Sequence, residues 1–590
     1  MHKTLHRIIW RMIVALTLVP SLARAGVTLK IEGVNDELAQ AIRSSVSLTQ
    51  YAASQVTPAQ VHHLYAQASG QARAALRPYG YYDPSVHGSL DHKGAQWTVV
   101  LKVSPGQPVI VRTLDIRMDA SAEKQPEVHK AVSQFKPAIG QQMNDGLYTE
   151  SRNAITTALN ATGYLDAKMT RHKVLVTRAT HSAAVHLHWH TGPRYRFGKV
   201  HIIGSQFRKG FLERYVPFSS GDHYSQPELL KLQEALTSAD YFSMVDVQPD
   251  IEHAHNGVVD VNVHVNPAKR SVYSGGPFIG TDTGAGIRLG LQRRWVNNRG
   301  NKWKNELVAA QRLKTLSTLY QIPMPGPDRR SFNFGADYQL ADTVTSHSHS
   351  LNLVANESRL WHGWLRTMGV HALAGSFTVG QHPGEPGNAP GIEHGRSTLL
   401  YPEISLVRKM GADANFVRHG WLLSLTARGT VNNPLSDTGF AQLLADAKWI
   451  HAFAGNNRLI VRADAGTTLV KDFQRLPPQL RFFAGGARSI RGYGYQAVGP
   501  HNAYGRVIGG RNLLVGSVEV EHYLTPHWGV ATFVDAGNAF NGHDISPRIG
   551  TGIGLRWRSP VGMVRLDLGV PVHDPNAHAV HLHIVIGPDL

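Results

Sequence analysis

The chain has 590 residues, too many for one ordinary domain, and its 42% hydrophobic and 17% charged residues exclude a disordered polymer. The formal net charge of +18 comes from Lys and Arg spread along the whole length, which argues against the single basic stripe of a nucleic-acid binder and suits a surface near anionic lipid. With no cysteine, disulfides, thiol chemistry and Cys-bound metal are excluded.

The first element is a leader. Lys3, Arg7 and Arg11 precede a short apolar core, Met12 to Leu22, and Ala23-Arg24-Ala25 is a small-x-small cleavage site. Residues 1–25 therefore read as a secretory signal peptide, too short to span a bilayer, with a mature start near Gly26. Three repeats follow. Leu76 to Asp83 (LRPYGYYD) recurs as Leu159 to Asp166 (LNATGYLD) and more loosely as Leu236 to Phe242 (LTSADYF). The copies lie roughly 75 to 85 residues apart, one small domain each. Each ends an amphipathic helical stretch, such as Pro58 to Leu76, and leads into a short strand. Each unit then closes on an alternating strand: Val99, Leu101 and Val103; Val185, Leu187 and Trp189; Val259, Val261, Val263 and Val265. The pattern predicts three β-α-α-β-β modules of α+β type, over residues 26–107, 108–193 and 194–268.

From 269 to 590 helical periodicity fades and strict alternation takes over. Ile549, Thr551, Ile553, Leu555 and Trp557 alternate with Gly550, Gly552, Gly554, Arg556 and Arg558. Val564, Leu566, Leu568 and Val570 alternate with positions that include Arg565 and Asp567. No later segment holds about 18 consecutive apolar residues, so any membrane insertion needs a closed β-barrel. At ~20 residues per strand and connection, the region predicts an antiparallel transmembrane barrel of about 16 strands. The Pro/Gly-rich Gly380 to Gly395 is expected to be an extracellular loop.

Near the end of that region, Arg481 to Pro500 packs two Gly-rich turns around Ser489-Ile490-Arg491-Gly492-Tyr493. Downstream, Val518 and Val520 set an apolar phase that turns Ser517 and Glu519 into the lumen. Val530 and Val534 do the same for Asp535. Two inward carboxylates on neighbouring strands, just after a loop bearing a permanent cation, predict that the loop folds back and that Arg491 pairs with Asp535, Glu519 or both.

These residues resemble the BamA/TamA outer-membrane assembly superfamily. Gly485-Gly486 followed by Ile490-Arg491-Gly492-Tyr493 is similar to its lumenal-loop motif, V/I-R-G-F/Y. Gly509-Gly510, Ser517-Val518-Glu519 and Phe533 to Gly537 are similar to the strands after it. The three repeats resemble periplasmic POTRA domains, and their number points to the TamA branch. The resemblance implies Arg491 as the arginine that locks the loop and Asp535 and Glu519 as its partners. It implies a 16-stranded barrel in the outer membrane whose first and last strands, near Ala285 to Trp295 and Ala579 to Gly587, pair weakly and open towards lipid. It also implies a non-enzymatic factor that inserts or exports client proteins such as autotransporters. Its partners would be outer-membrane lipid and a TamB-like inner-membrane-anchored protein docked on the first POTRA domain. The alternative is a two-partner-secretion pore passing an exoprotein through its lumen, although that relative usually has two POTRA domains and a plug helix.

Other motifs carry less. His186, His188 and His190 alternate with Val185, Leu187 and Trp189, so they read as the solvent face of a strand rather than a metal site. Paired carboxylates occur without a nucleophile, oxyanion device or metal spacing, so neither an enzyme nor a cofactor is expected. Gly492-Tyr493-Gly494 lacks the strand-turn-helix context of a nucleotide loop.

Overall fold

The computed structural model describes residues 27–52, 56–94, 96–324, 330–382, 385–411, 416–560, 562–572, 579–587 and 589. The signal-peptide expectation for residues 1–25 lies outside the described residues. The first repeat runs β1 (Val27–Glu32), α1 (Asp36–Ser45), α2 (Pro58–Leu76), β2 (Ser85–Lys93) and β3 (Gln96–Ser104). β3 is central, parallel to β1 and antiparallel to β2. The side chains of Asn35 and Thr57 accept the backbone N–H groups of Leu38 and Gln60 in the first turns of the two helices, which sets where each begins. Val61, Ala68, Ala72 and Leu76 form the buried stripe of α2 against Val99, Leu101 and Val103 of β3.

The second repeat has the same order. β4 (Ile110–Arg117), α3 (Pro126–Ser133) and α4 (Asp145–Ala161) precede β5 (Lys168–Thr177) and the central β6 (Ser182–His190). The third departs from the expected two helices: among the described residues a single α-helix, α5 (Gln226–Ser238), lies between β7 (Arg196–Ile203) and β8 (Phe242–Pro249), a 3-10 turn at Leu212–Tyr215 standing before it, and β9 (Val258–Pro267) is central. The repeated Gly-Tyr element has a physical role. Gly80, Gly163 and Asp240 all have positive φ (82°, 102° and 59°), a conformation open to Gly and tolerated by Asp. The turn then presents a backbone carbonyl to the chain leaving the unit. Gly80 accepts from Val109 N–H, Gly163 from Tyr195 N–H, and Tyr241 from Ala268 N–H.

Among the described residues, sixteen strands from β10 (Ser271–Gly280) to β25 (His581–Gly587) form one antiparallel sheet, each paired with the next. It curls into a nearly closed barrel. Among the described residues no ladder joins β25 back to β10. The first strand corrects the expectation of Ala285 to Trp295, which falls largely on β11 (Gly284–Arg293). Gly275-Gly276-Pro277 breaks the alternation of β10 and hides it from a period-2 reading. A proline is tolerated at a sheet edge, where β10 lies. The last strand falls where expected. β16 (Trp364–Val379) and β17 (Glu393–Gly411) bracket the loop anticipated at Gly380 to Gly395, and the wall takes its last three residues.

Among the described residues no helix is long and apolar enough to cross a membrane. The barrel wall has the required polarity instead. Val518, Val520, Val530, Val534, Leu568 and Val570 are exposed outward, whereas Ser517, Glu519, Asp535 and Asp567 are buried inside.

Candidate functional site: a lumenal loop held by buried ion pairs

The connection from β20 (Asn457–Val470) to β21 (Asn512–Tyr523) turns back into the barrel. Its base is closed by Arg481, whose guanidinium donates to the carbonyls of Leu476 (2.7 Å), Ile508 (2.9 Å) and Gln474 (3.1 Å). Its apolar side chains Phe482, Ala484, Ile490, Tyr493 and Val498 pack on Val515 of β21 and on Ala539 of β22 (Trp528–Phe540). Gly485, Gly486 and Gly492 all have positive φ. At Gly492 space matters as well, because a Cβ there would stand 2.7 Å from the Val570 carbonyl carbon. The loop thus lies directly on the wall.

Arg491 is the centre of the contact and is 4% exposed. Its Nε and Nη2 donate to the two carboxylate oxygens of Asp535, at 2.8 and 2.9 Å. Its backbone N–H donates to the same carboxylate at 2.9 Å. Nη1 donates to Glu519 (2.6 Å) and to Asp567 (3.0 Å). The guanidinium also stacks over Phe533, 3.5 Å from the ring centroid. Ser517 donates to Asp535 at 2.6 Å and fixes that carboxylate in place. Only arginine can make the planar two-pronged contact and keep a further N–H for a second carboxylate. The structure thus brings Arg491 to both Asp535 and Glu519.

A third carboxylate, Asp567, and a second arginine, Arg556, were not singled out from sequence. Arg556 on β23 (Arg548–Ser559) donates to Glu519 (2.6 Å), to Asp567 on β24 (Gly562–Val572) (2.6 Å) and to Glu521 (2.9 Å). Arg458 on β20 donates to the other oxygen of Glu521 at 2.8 Å. Arg556 and Asp567 lie on the polar phase of β23 and β24, which was the available signal. His583 of β25 was also missed. Its Nε2 accepts the Gly492 backbone N–H at 3.0 Å, so the loop touches the last strand of the wall. On β23, a Cβ at Gly550 would stand 1.8 Å from the Arg491 carbonyl oxygen. On β24, a Cβ at Gly569 would stand 2.5 Å from the Gly492 nitrogen, so Gly550 and Gly569 are the floor on which the loop lies.

Residues 299–589 match the Omp85 superfamily domain, residues 28–105 the POTRA domain TamA domain 1, and residues 195–268 a POTRA domain described as a surface antigen variable number repeat. The chain belongs to the Omp85 superfamily. As in that superfamily, its barrel lies in the outer membrane and its POTRA domains in the periplasm. It is 23% identical over 388 residues to the outer membrane protein assembly factor BamA of Nitratidesulfovibrio vulgaris, covering 64% of this chain and 48% of the relative. It is 24% identical over 136 residues to BamA of Neisseria meningitidis serogroup B, covering 22% of this chain and 17% of that protein. The chain thus spans half or less of the length of the curated relatives it matches. The structure of BamA from Haemophilus ducreyi lacking POTRA domains 1–3 superposes with a TM-score of 0.67 at 15% identity, covering 81% of this chain and 99% of that one, a likeness of fold.

Proposed function

We propose that this chain is a non-enzymatic outer-membrane assembly and translocation factor. It inserts client proteins such as autotransporters into the membrane, or passes them across it, at the gap between β10 and β25. The observation that carries the reading is that unpaired gap. Strand edges without a ladder can template an incoming strand, and here they face lipid on one side and the lumen on the other. Arg491, with Asp535 and Glu519, locks the loop that lies against the last strand. Gly485, Gly486, Ile490, Gly492 and Tyr493 shape that loop. The three repeats act as POTRA modules over 26–107, 108–193 and 194–268, ahead of a barrel over 269–590. The second module is included because β4, β5 and β6 repeat the strand order of the other two.

The test is reconstitution. Proteoliposomes carrying this chain should insert a denatured outer-membrane barrel client faster than empty vesicles do. Equal rates contradict the proposal. A TamB-like inner-membrane-anchored partner is proposed to dock on the first POTRA module. In a pull-down from cell envelopes, deletion of residues 26–103 should lose that partner, and undiminished recovery contradicts the assignment.

A further inference from the structure

One carboxylate in the lumen belongs neither to the loop nor to the wall. Asp589, two residues past β25, is 2% exposed. Its Oδ2 accepts from Arg458 Nη1 at 2.6 Å and from the Val417 backbone N–H at 2.9 Å. Its Oδ1 accepts from Arg565 Nη2 at 2.5 Å. Lys448 donates to its backbone carbonyl. Arg565 lies on β24, but Lys448 lies on β19 (Phe440–Phe453) and Arg458 on β20, well along the sheet from β25. Asp589 therefore lies inside the lumen and off the wall.

Charge explains why it stays there. Arg458, which grips Asp589, also donates to Glu521, and Glu521 accepts from Arg556. Arg556 shares Glu519 and Asp567 with Arg491. Five cations (Arg491, Arg556, Arg458, Arg565 and Lys448) thus face five carboxylates (Asp535, Glu519, Asp567, Glu521 and Asp589) in one connected cluster. Without the Asp589 carboxylate the buried cluster carries an unbalanced positive charge, which is costly. Between β10 and β25 lies a cleft of about 820 Å³, whose walls include Gly275, Gly276 and Pro277 on one side and Ile584, Val585 and Ile586 on the other.

We propose that Asp589 is the residue that positions the seam. Held by Arg458, Arg565 and the Val417 N–H, Asp589 stays inside the lumen and away from the periplasmic half of β10. The seam is thereby held open at that end by an ionic anchor, and the anchor belongs to the same cluster as Arg491. The functional meaning of the anchor rests on the gap being the working site.

The chain has no cysteine, so an introduced pair reports on the seam alone. Gly275→Cys and Ile586→Cys, both lining the cleft, are oxidised in purified full-length protein in lipid vesicles. Losing charge-assisted hydrogen bonds at Asp589 should release that residue and the end of β25, so Asp589→Asn is expected to raise the crosslinking rate about tenfold. Arg565→Gln should shift it the same way, and Asp589→Glu should restore the parent rate. Unchanged or slower crosslinking in Asp589→Asn, in a barrel that still shows folded heat-modifiable migration, overturns the proposal. Should Asp589→Asn not fold, Arg565→Gln decides on the same terms. Client insertion by the same variants is read separately. A seam that responds in a protein that never outperforms empty vesicles leaves the anchor standing and overturns the assembly reading.

Discussion

Arg491 is buried among three carboxylates, and each of them would be costly without it. Arg491→Ala removes the guanidinium that holds Asp535 and leaves Arg556 to serve Glu519 and Asp567. Breaking a buried ion pair from one side typically costs about 3–5 kcal/mol. The strand ladders remain, so the expected product is a folded barrel with a released loop. Limited proteolysis should cut between Arg481 and Pro500 in the variant and spare the parent; equal protection would contradict the lock. Gly550→Val should have the same effect without touching a charge, because its side chain would occupy the place of the Arg491 carbonyl. A variant with an undisturbed loop would show that the loop does not rest on β23. The pairing of Arg491 with Asp535 and Glu519 was legible in the sequence because period-2 phase alone turns both carboxylates inward. Asp567 and Arg556 shared that phase, but phase gives the face of a residue and not its neighbour two strands away. Asp589 follows the last strand and has no phase to read.

About sixteen strands were anticipated from the length of the alternating region and sixteen form among the described residues, yet β10 was missed. Its Gly-Gly-Pro imitates a turn, and the strand is held by its ladder to β11 rather than by side-chain pattern. The helices and strands of the repeats were easier to place, because helical stripes and valine alternation coincide with their cores. The role of the Gly-Tyr element, a positive-φ turn that hands the chain to the next unit, needed the backbone. A second element-scale contact lies on the extracellular side. Glu385, between β16 and β17, receives two N–H groups of Arg506 at 2.6 and 2.7 Å and so clasps the outer part of the lumenal loop. The Arg506 guanidinium, helped by the His382 backbone N–H, lowers the Glu385 carboxyl to about 2. A depressed acid contributes fully above its unfolded value, about 4.3, and loses that contribution as pH falls towards the folded one. Hydrogen exchange of residues 502–506 should therefore be slow at neutral pH and accelerate between about pH 4 and 2 beyond the intrinsic rate change. Glu385→Gln should exchange fast throughout, and a parent protein indifferent to pH in this window would contradict the clasp.

At the scale of the whole molecule, the barrel sheet is continuous among the described residues except between β10 and β25. The lumenal loop touches β25 through His583, and the cluster around Arg491 extends to Asp589 beyond that strand. Loop, last strand and the residue beyond it are therefore joined by one continuous chain of contacts. Client insertion is proposed to take place at the gap. The decisive measurement is reversible closure of it in proteoliposomes. Gly280→Cys and Ile584→Cys are suited to this, since a Cβ on Gly280 would stand 3.8 Å from the Ile584 carbonyl oxygen. With the disulfide formed, insertion of a barrel client should fall to the rate of empty vesicles and return on reduction. Undiminished insertion with the seam locked would contradict lateral release and favour passage through the lumen.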